Sequence, residues 1–596
     1  MENKIEGKIQ NKIKLNKDDM INYSDIVKER EINFYNIRKS RIRNELFNKK
    51  KNYFNHYKNN NINNNEIDIQ CLNINSELKD EKYINEILSS NKFNTIFEYI
   101  KEIYNTNNNF NIDIIKYGLF LLNEKLLDSN DENIIQDINF LYNNNFKEII
   151  FLLLNYSKNE NSKIDFEPII LKLIYQILAN YSFYCPNNID ISFLFEQKFF
   201  ELHLYFMDNI SDKNIIENIL LMTYNICLDD NENTNKIFTF NDNKFFNSLI
   251  EYINIYQNDY ERIEIILDLF ICYINIFNIY ENKIRNKKVD IIEMKDNSIK
   301  YDLNIIETIY EISLLLIYSK RKNILNQALY LTSTIIKILY KSKTFDFISR
   351  IISNDNTKLM LVYILEKDYS ENYDNLIYIS DLIKYILKAH SKCYNFLELK
   401  TDIINLINEV EKNLNEYDEI IEIFINLLLK GKKKKLKDKI KIKIIDVISS
   451  FIKNEYFYKN VIENYKEEIF GIIVDNINSS DYGIRKKIIK ILEYITGKRD
   501  FILIDYLVKN KLLHFIKKAI DPSVTYCTDE KLILGSLKVI DNLLSIGEIF
   551  KKLNRINSIL IDFINIGGRD LLDSLLCNKS ELIYNNSLQL IKLYLS

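Results

Sequence analysis

The sequence predicts an all-α fold: a right-handed superhelical solenoid of short helical repeats, with a basic helical arm at its N-terminus. Three observations predict it. Residues that break helices are scarce, with 10 Gly and 3 Pro in 596 residues, so helices joined by short turns are favoured over strands. Apolar residues recur at steps of three and four. Segments ending in asparagine recur at intervals in the forties.

The apolar stripes come first. Ile215, Ile216, Ile219, Leu220, Thr223 and Ile226 form one wide face, and Ile484, Ile488, Ile489, Leu492 and Ile495 form another. Such stripes mark helices with one buried side. Each helix is too short to bury that side alone, so neighbours have to stack. The stacking has a period. Gln176 to Asn180, Leu221 to Asn225 and Ile271 to Asn275 align by eye, with their asparagines 45 and 50 positions apart. Further on Ser450, Tyr494 and Asn542 take equivalent places, 44 and 48 apart. A period in the forties with two or three helices per unit fits armadillo or HEAT repeats. Between 280 and 440 no secure register emerges.

Three regions follow: a basic arm over residues 1–58, an Asn-rich linker over 59–80, and the solenoid over 81–596. Residues 1–60 hold 15 Lys/Arg and 8 Asp/Glu, a net +7 within a total of −3, so the remainder carries −10. A basic arm on an acidic body can bind that body or an acidic partner. Runs such as Asn59 to Asn65 read as solvated loop. So does Lys432 to Lys435, which has no interleaved aromatics to stack on single strands.

Composition also limits function. The seven cysteines show no CxxC pair and are expected to be reduced thiols of a cytosolic or nuclear protein. No apolar N-terminal segment suggests secretion, and no run of about 18 apolar residues suggests a membrane span. His56, His203, His390 and His514 lie far apart without ligand spacing. No nucleotide-binding or hydrolase motif is present. The expectation is a protein that is no enzyme, holds no cofactor or metal, and has neither nucleic acid nor membrane as partner.

Particular stretches resemble importin-α. Asp481-Tyr482-Gly483-Ile484-Arg485-Lys486-Lys487 is similar to that family's D-x-x-IRKE. Val539 to Glu548 is similar to its GLENILKVGE. Gly567-Gly568-Arg569-Asp570-Leu571-Leu572, Ile583-Tyr584 and Leu593-Tyr594 are similar to its last repeat. At the other end, Ile37 to Asn52 (Ile-Arg-Lys-Ser-Arg-Ile-Arg-Asn-Glu-Leu-Phe-Asn-Lys-Lys-Lys-Asn) resembles the importin-β-binding arm LRKAKKDEQLLKRRN, and Glu31-Ile32 sits where that arm has EV.

The resemblance implies a nuclear import adaptor that shuttles between cytoplasm and nucleus. Arg38, Lys39, Arg41, Arg43, Lys49, Lys50 and Lys51 would form the carrier-binding arm for an importin-β-type carrier. Lys49-Lys50-Lys51 would also mimic a nuclear localisation signal in cis, where tethering supplies a high effective concentration. Proteins bearing lysine-rich signals would lie extended in a cargo groove, and the last repeat would meet an export factor. In the family each inner helix carries W-x-x-x-N: stacked indoles take lysine stems and asparagine amides clamp the cargo backbone. Here Asn180, Asn225 and Asn275 hold the Asn positions, Asp229 the position of the acid that selects lysine, and Gln176, Leu221 and Ile271 the Trp positions. Lost indoles imply weaker or altered signal binding. At the family's second site stand Asp446, Ser450, Lys490, Tyr494 and Asn542. A lysine there would repel a lysine-rich cargo. The rival reading is an armadillo scaffold that has lost signal recognition and joins other proteins.

Overall fold

The computed structural model describes residues 131–158, 168–184, 192–229, 231–286, 303–342, 373–397, 415–430, 437–521, 529–554 and 556–595, with isolated positions between 97 and 126. The proposed arm (1–58), the linker (59–80) and Lys432 to Lys435 lie outside the described residues, so Arg38, Lys39, Arg41, Arg43, Lys49, Lys50 and Lys51 do too. The described residues are helical, with turns and short 3-10 or π segments and no strand among them. Two compact units divide the chain at Tyr273/Ile274.

The first unit contains α1 (Asp131–Asn143), α2 (Phe146–Lys158), α3 (Pro168–Tyr184), α4 (Gln197–Asn209), α5 (Lys213–Asp229), α6 (Asn231–Phe238), α7 (Lys244–Ile255) and the start of α8 (Tyr260–Asn286). These fall into triplets of two short helices and a longer third: α1–α2–α3, a 3-10 turn at Ser192–Phe195 with α4 and α5, and α6–α7–α8. That is the armadillo unit. The third helices α3 and α5 pack along each other. Their expected stripe is buried throughout: Ile215, Ile219, Leu220, Thr223 and Ile226 have no exposed surface, and Ile216 is nearly as covered. Aromatic rings fill the interior. Phe146 meets Tyr181 with centroids 4.9 Å apart, and Phe238 stacks on Tyr273 at 4.6 Å.

The second unit continues the pattern with α9 (Leu303–Leu316), α10 (Lys322–Ser342), α11 (Tyr373–Leu397), α12 (Asn415–Lys430), α13 (Asp438–Lys453), α14 (Glu455–Ile477), α15 (Tyr482–Gly497), α16 (Phe501–Lys509), α17 (Leu512–Ile520), α18 (Glu530–Asn554), α19 (Ser558–Asn565), α20 (Gly568–Leu575) and α21 (Glu581–Leu590). Helix α14 is two short helices joined at Tyr465, whose backbone leaves the helical region (φ −126°, ψ 24°). Successive third helices form a ladder: α10 packs on α11, α11 on α13, α13 on α15, α15 on α18, and α18 on α21. The region that offered no sequence register, 280–440, therefore contains three rungs of it or parts of them.

Local chemistry sets the corners. Four of the short-helix pairs turn through a residue in the left-handed region: Asn145 before α2, Asn243 before α7, Lys511 before α17 and Gly567 before α20, with φ between 62° and 74°. Asn and Gly tolerate that region; Lys does not readily. Third helices α15 and α21 begin at side-chain caps. The Asp481 carboxylate accepts from Ile484 N at 2.9 Å, and Ser580 Oγ accepts from Ile583 N at 3.4 Å. Asp481 opens the stretch that resembles importin-α, and helix capping is the structural reason for an acid there.

Candidate functional site: the ladder helices

In the first unit the ladder face is closed by its own amides. Asn123 Nδ2 donates to Gln176 Oε1 (3.2 Å), and Asn180 Nδ2 donates to Asn123 Oδ1 (3.0 Å). Asn225 Nδ2 donates to Ala179 O and to Ser182 Oγ, both at 3.1 Å. Asn180 and Asn225 are 4% and 2% exposed. These two were expected to present open amides to a cargo backbone. Instead the Asn180 donor faces Asn123, and the Asn225 donor faces α3. The physical reason is local: Ala179 and Ser182 are small, so α5 approaches α3 closely, and a buried amide at that seam has to be satisfied across it.

The other expected groove positions divide. Leu221 is buried and Ile271 half-buried. Asp229 ends α5, and its side chain lies outside what is described. Asn275 lies in the second unit, where its Oδ1 accepts from the Tyr330 hydroxyl at 3.0 Å. Asn180 thus bonds back to Asn123, Asn225 closes the α3–α5 seam, and Asn275 serves a third contact with Tyr330 of α10.

The second unit carries a different surface. Asp381 and Lys384 on α11 lie across from Lys443 and Asp446 on α13. Lys443 Nζ donates to both Asp381 oxygens at 2.6 Å, and Lys384 Nζ to Asp446 Oδ2 at 2.8 Å. Asp446 also pairs with Lys487 of α15. One buried carboxylate thus joins three successive ladder helices. Burial is the largest influence on Asp446 and pulls its pKa up, but the hydrogen bonds and charges of Lys384 and Lys487 hold it below the usual carboxylate range. Burial likewise pulls Lys384 down, and Asp446 outweighs it and holds the ammonium above its ordinary value.

Around this aspartate lie more ammonium groups than carboxylates. Lys388, Lys453 and Lys490 have no carboxylate partner within ion-pair distance among the described residues, and Lys453 and Lys490 are exposed. Burial and then the charge of Lys384 push Lys388 below its ordinary pKa. Burial and then Lys490 and Lys487 do the same to Lys453, with Glu493 and Asp446 opposing. Tyrosines run beside the lysines. Lys384 and Lys388 lie 5.6 and 5.4 Å from the Tyr385 ring centroid, and the Tyr494 hydroxyl donates to Lys453 O at 3.2 Å. The remaining expected positions serve the fold: Ser450 Oγ donates to Asp446 O (2.8 Å), and Asn542 Nδ2 to Thr496 Oγ1 (3.1 Å).

Sequence reasoning picked out Asp446, Lys490 and Tyr494 but missed Asp381, Lys384, Lys388, Lys443, Lys453 and Lys487. The missed signal was reciprocal. Asp381 and Lys384 are three apart, as are Lys443 and Asp446, with opposite order of charge and the same offset of 62 residues.

Among the described residues no cluster of His, Cys, Asp or Glu could hold a metal ion, and no helix is long and apolar enough to cross a membrane. His203 is buried and His514 exposed; His56 and His390 lie outside the described side chains.

No protein-family profile matches the sequence, and no curated protein matches it. Solved structures do. Computationally designed armadillo repeat proteins for modular peptide recognition align over 47% of this chain and 98% of theirs, at 13% identity and TM-score 0.31. A chain from a structure on the phosphorylation switch controlling the interaction between cadherin and beta-catenin aligns over 84% of this chain and 91% of its own, at 11% identity and TM-score 0.37. SYS-1 aligns over 84% and 91%, at 14% identity and TM-score 0.43. The armadillo assignment rests on the helix triplets and ladder contacts of this chain.

Proposed function

We propose that the chain is a non-enzymatic armadillo scaffold that holds an extended segment of another protein along its ladder helices. One observation carries this reading. In the second unit five successive ladder contacts form a continuous strip, and Lys388, Lys453 and Lys490 on it have no carboxylate partner among the described residues. Side chains left unpaired on regularly spaced helices are what an extended ligand needs.

Within that reading we further propose a nuclear import adaptor, shuttling between cytoplasm and nucleus. Arg38, Lys39, Arg41, Arg43 and Lys49-Lys50-Lys51 would engage an importin-β-type carrier, and the last repeat an export factor. What supports this is the sequence resemblance at both ends. A lysine-rich signal would depend chiefly on Asp229, because the Asn180 and Asn225 amides are already bonded. That burial favours the second reading, a scaffold without signal recognition.

A pull-down of the full chain, and of a version lacking residues 1–58, against an importin-β-type carrier and a lysine-rich peptide tests the adaptor. The expected result is carrier binding that is lost with the arm, and peptide binding lost in Asp229→Lys. If both forms ignore carrier and peptide alike, the adaptor proposal is wrong.

A further inference from the structure

We infer that the strip formed by α11, α13 and α15 is a docking surface for an acidic, extended segment of a partner protein. The inference rests on the scaffold reading and names the chemistry of its ligand, which is opposite in charge to a nuclear localisation signal.

The argument begins with charge. Lys384, Lys388, Lys453, Lys487 and Lys490 cluster about Asp446, and Asp381, already paired with Lys443, and Glu493 are the other acids that act on them. Lys384 and Lys487 share the one aspartate, while Lys388, Lys453 and Lys490 have no carboxylate partner among the described residues. Like charges held together destabilise a surface unless something neutralises them. Three of the lysines are also held in place: Asp446 anchors Lys384 and Lys487, and Lys388 lies against Tyr385. A fixed ammonium group loses less freedom on binding than a free one.

Geometry then sets the ligand. Packed helices lie about 8–10 Å apart, and an extended chain advances about 3.3 Å per residue. A segment crossing the rungs therefore meets a new helix roughly every third residue. Carboxylates about three residues apart would each reach a lysine on α11, α13 or α15, and tyrosine edges at Tyr385 and Tyr494 would cover the intervening side chains. A nucleic acid fits less well. It carries a phosphate at every nucleotide, so some would fall opposite Asp381, Asp446 or Glu493, whereas carboxylates about three residues apart can be placed on the lysines alone.

Fluorescence anisotropy on the full chain tests this with four labelled probes. These are a peptide of about twelve residues with Glu at every third position, its lysine counterpart, a scramble with the glutamates adjacent, and a single-stranded RNA of equal charge. The spaced acidic peptide is expected to bind, to weaken as salt is raised, and to outbind the scramble. Substituting Lys388→Glu, Lys453→Glu and Lys490→Glu together is expected to weaken it about tenfold or more. None of these three has an ion-pair partner among the described residues, so helicity should be unchanged and the melting temperature unchanged or raised; if either falls, the milder set Lys388→Gln, Lys453→Gln and Lys490→Gln gives the same comparison. No binding of the acidic peptide, or equal binding to the variants, overturns the inference. So does RNA displacing the peptide from the wild type but not the lysine variants. Binding of the lysine peptide alone would overturn this inference while leaving the scaffold reading intact. Binding of no peptide would remove both.

Discussion

At position 203 a histidine sits beyond the reach of water. It is 1% exposed, hydrogen-bonded through Nδ1 to the Tyr175 hydroxyl at 2.9 Å, and ringed by Tyr175, Phe199 and Phe200. Burial pushes its pKa down to about 3, against roughly 6.5 for a free histidine. Between those values the unfolded chain binds a proton that the folded chain refuses, so stability falls as pH falls through that window. The maximal slope is about 1.4 kcal/mol per pH unit. Unfolding of the wild type and of His203→Gln, measured at pH 7 and pH 5, should differ by about 2 kcal/mol in their pH dependence. Equal dependence would mean that His203 reaches water. Asp446 behaves as the usual lowered carboxylate: its contribution is complete above about pH 4 and is lost as pH drops through its depressed value. Asp446→Asn leaves Lys384, with a side chain only 16% exposed, facing a neutral amide. A destabilisation of about 1–3 kcal/mol is expected in denaturant titration. Neither environment was visible beforehand. His203 could be set aside as a ligand from spacing alone, but its burial depends on Phe199 and Phe200 turning inward with it. Asp446 was read against a family pattern, and its partners on α11 lay in a stretch with no readable register.

Helices and their corners were more legible. The stripe from Ile484 to Ile495 is buried along its whole length in α15, because steps of three and four can face one way only on a helix. The caps follow from single residues, so Asp481→Ala should lower stability by about 1 kcal/mol in thermal or urea unfolding. The left-handed corners were not foreseen, since Lys511 carries no turn signal. Its place is set by the pairing of α16 with α17, the arrangement that Gly567 serves between α19 and α20. Lys511→Gly should be neutral to stabilising by up to about 1 kcal/mol, as relief of left-handed strain exceeds the added freedom of the unfolded chain. Gly567→Ala should move the other way by a similar amount. Equal melting temperatures for that pair would show the corners to be unstrained.

For the molecule as a whole, the repeat period was readable wherever asparagines marked it. Their function was not readable, because an amide offered to a ligand and an amide offered to the next helix have the same sequence. Asn225 and Asn542 each donate to the rung before them, Asn225 to Ala179 O and Ser182 Oγ and Asn542 to Thr496 Oγ1. Asn225→Ala should destabilise the chain by about 1–3 kcal/mol in denaturant titration, and Asn542→Ala, whose seam is less buried, by less. The same couplings limit how the array can evolve. Where repeats meet only through apolar faces, one can be duplicated, deleted or exchanged and the new junction still seals. Here every such event at a coupled junction strands an amide or a hydroxyl, unless the incoming unit brings a matching group at the same height. Growth and shuffling are therefore penalised at those seams, and change is channelled into the outward side chains and the loops between triplets.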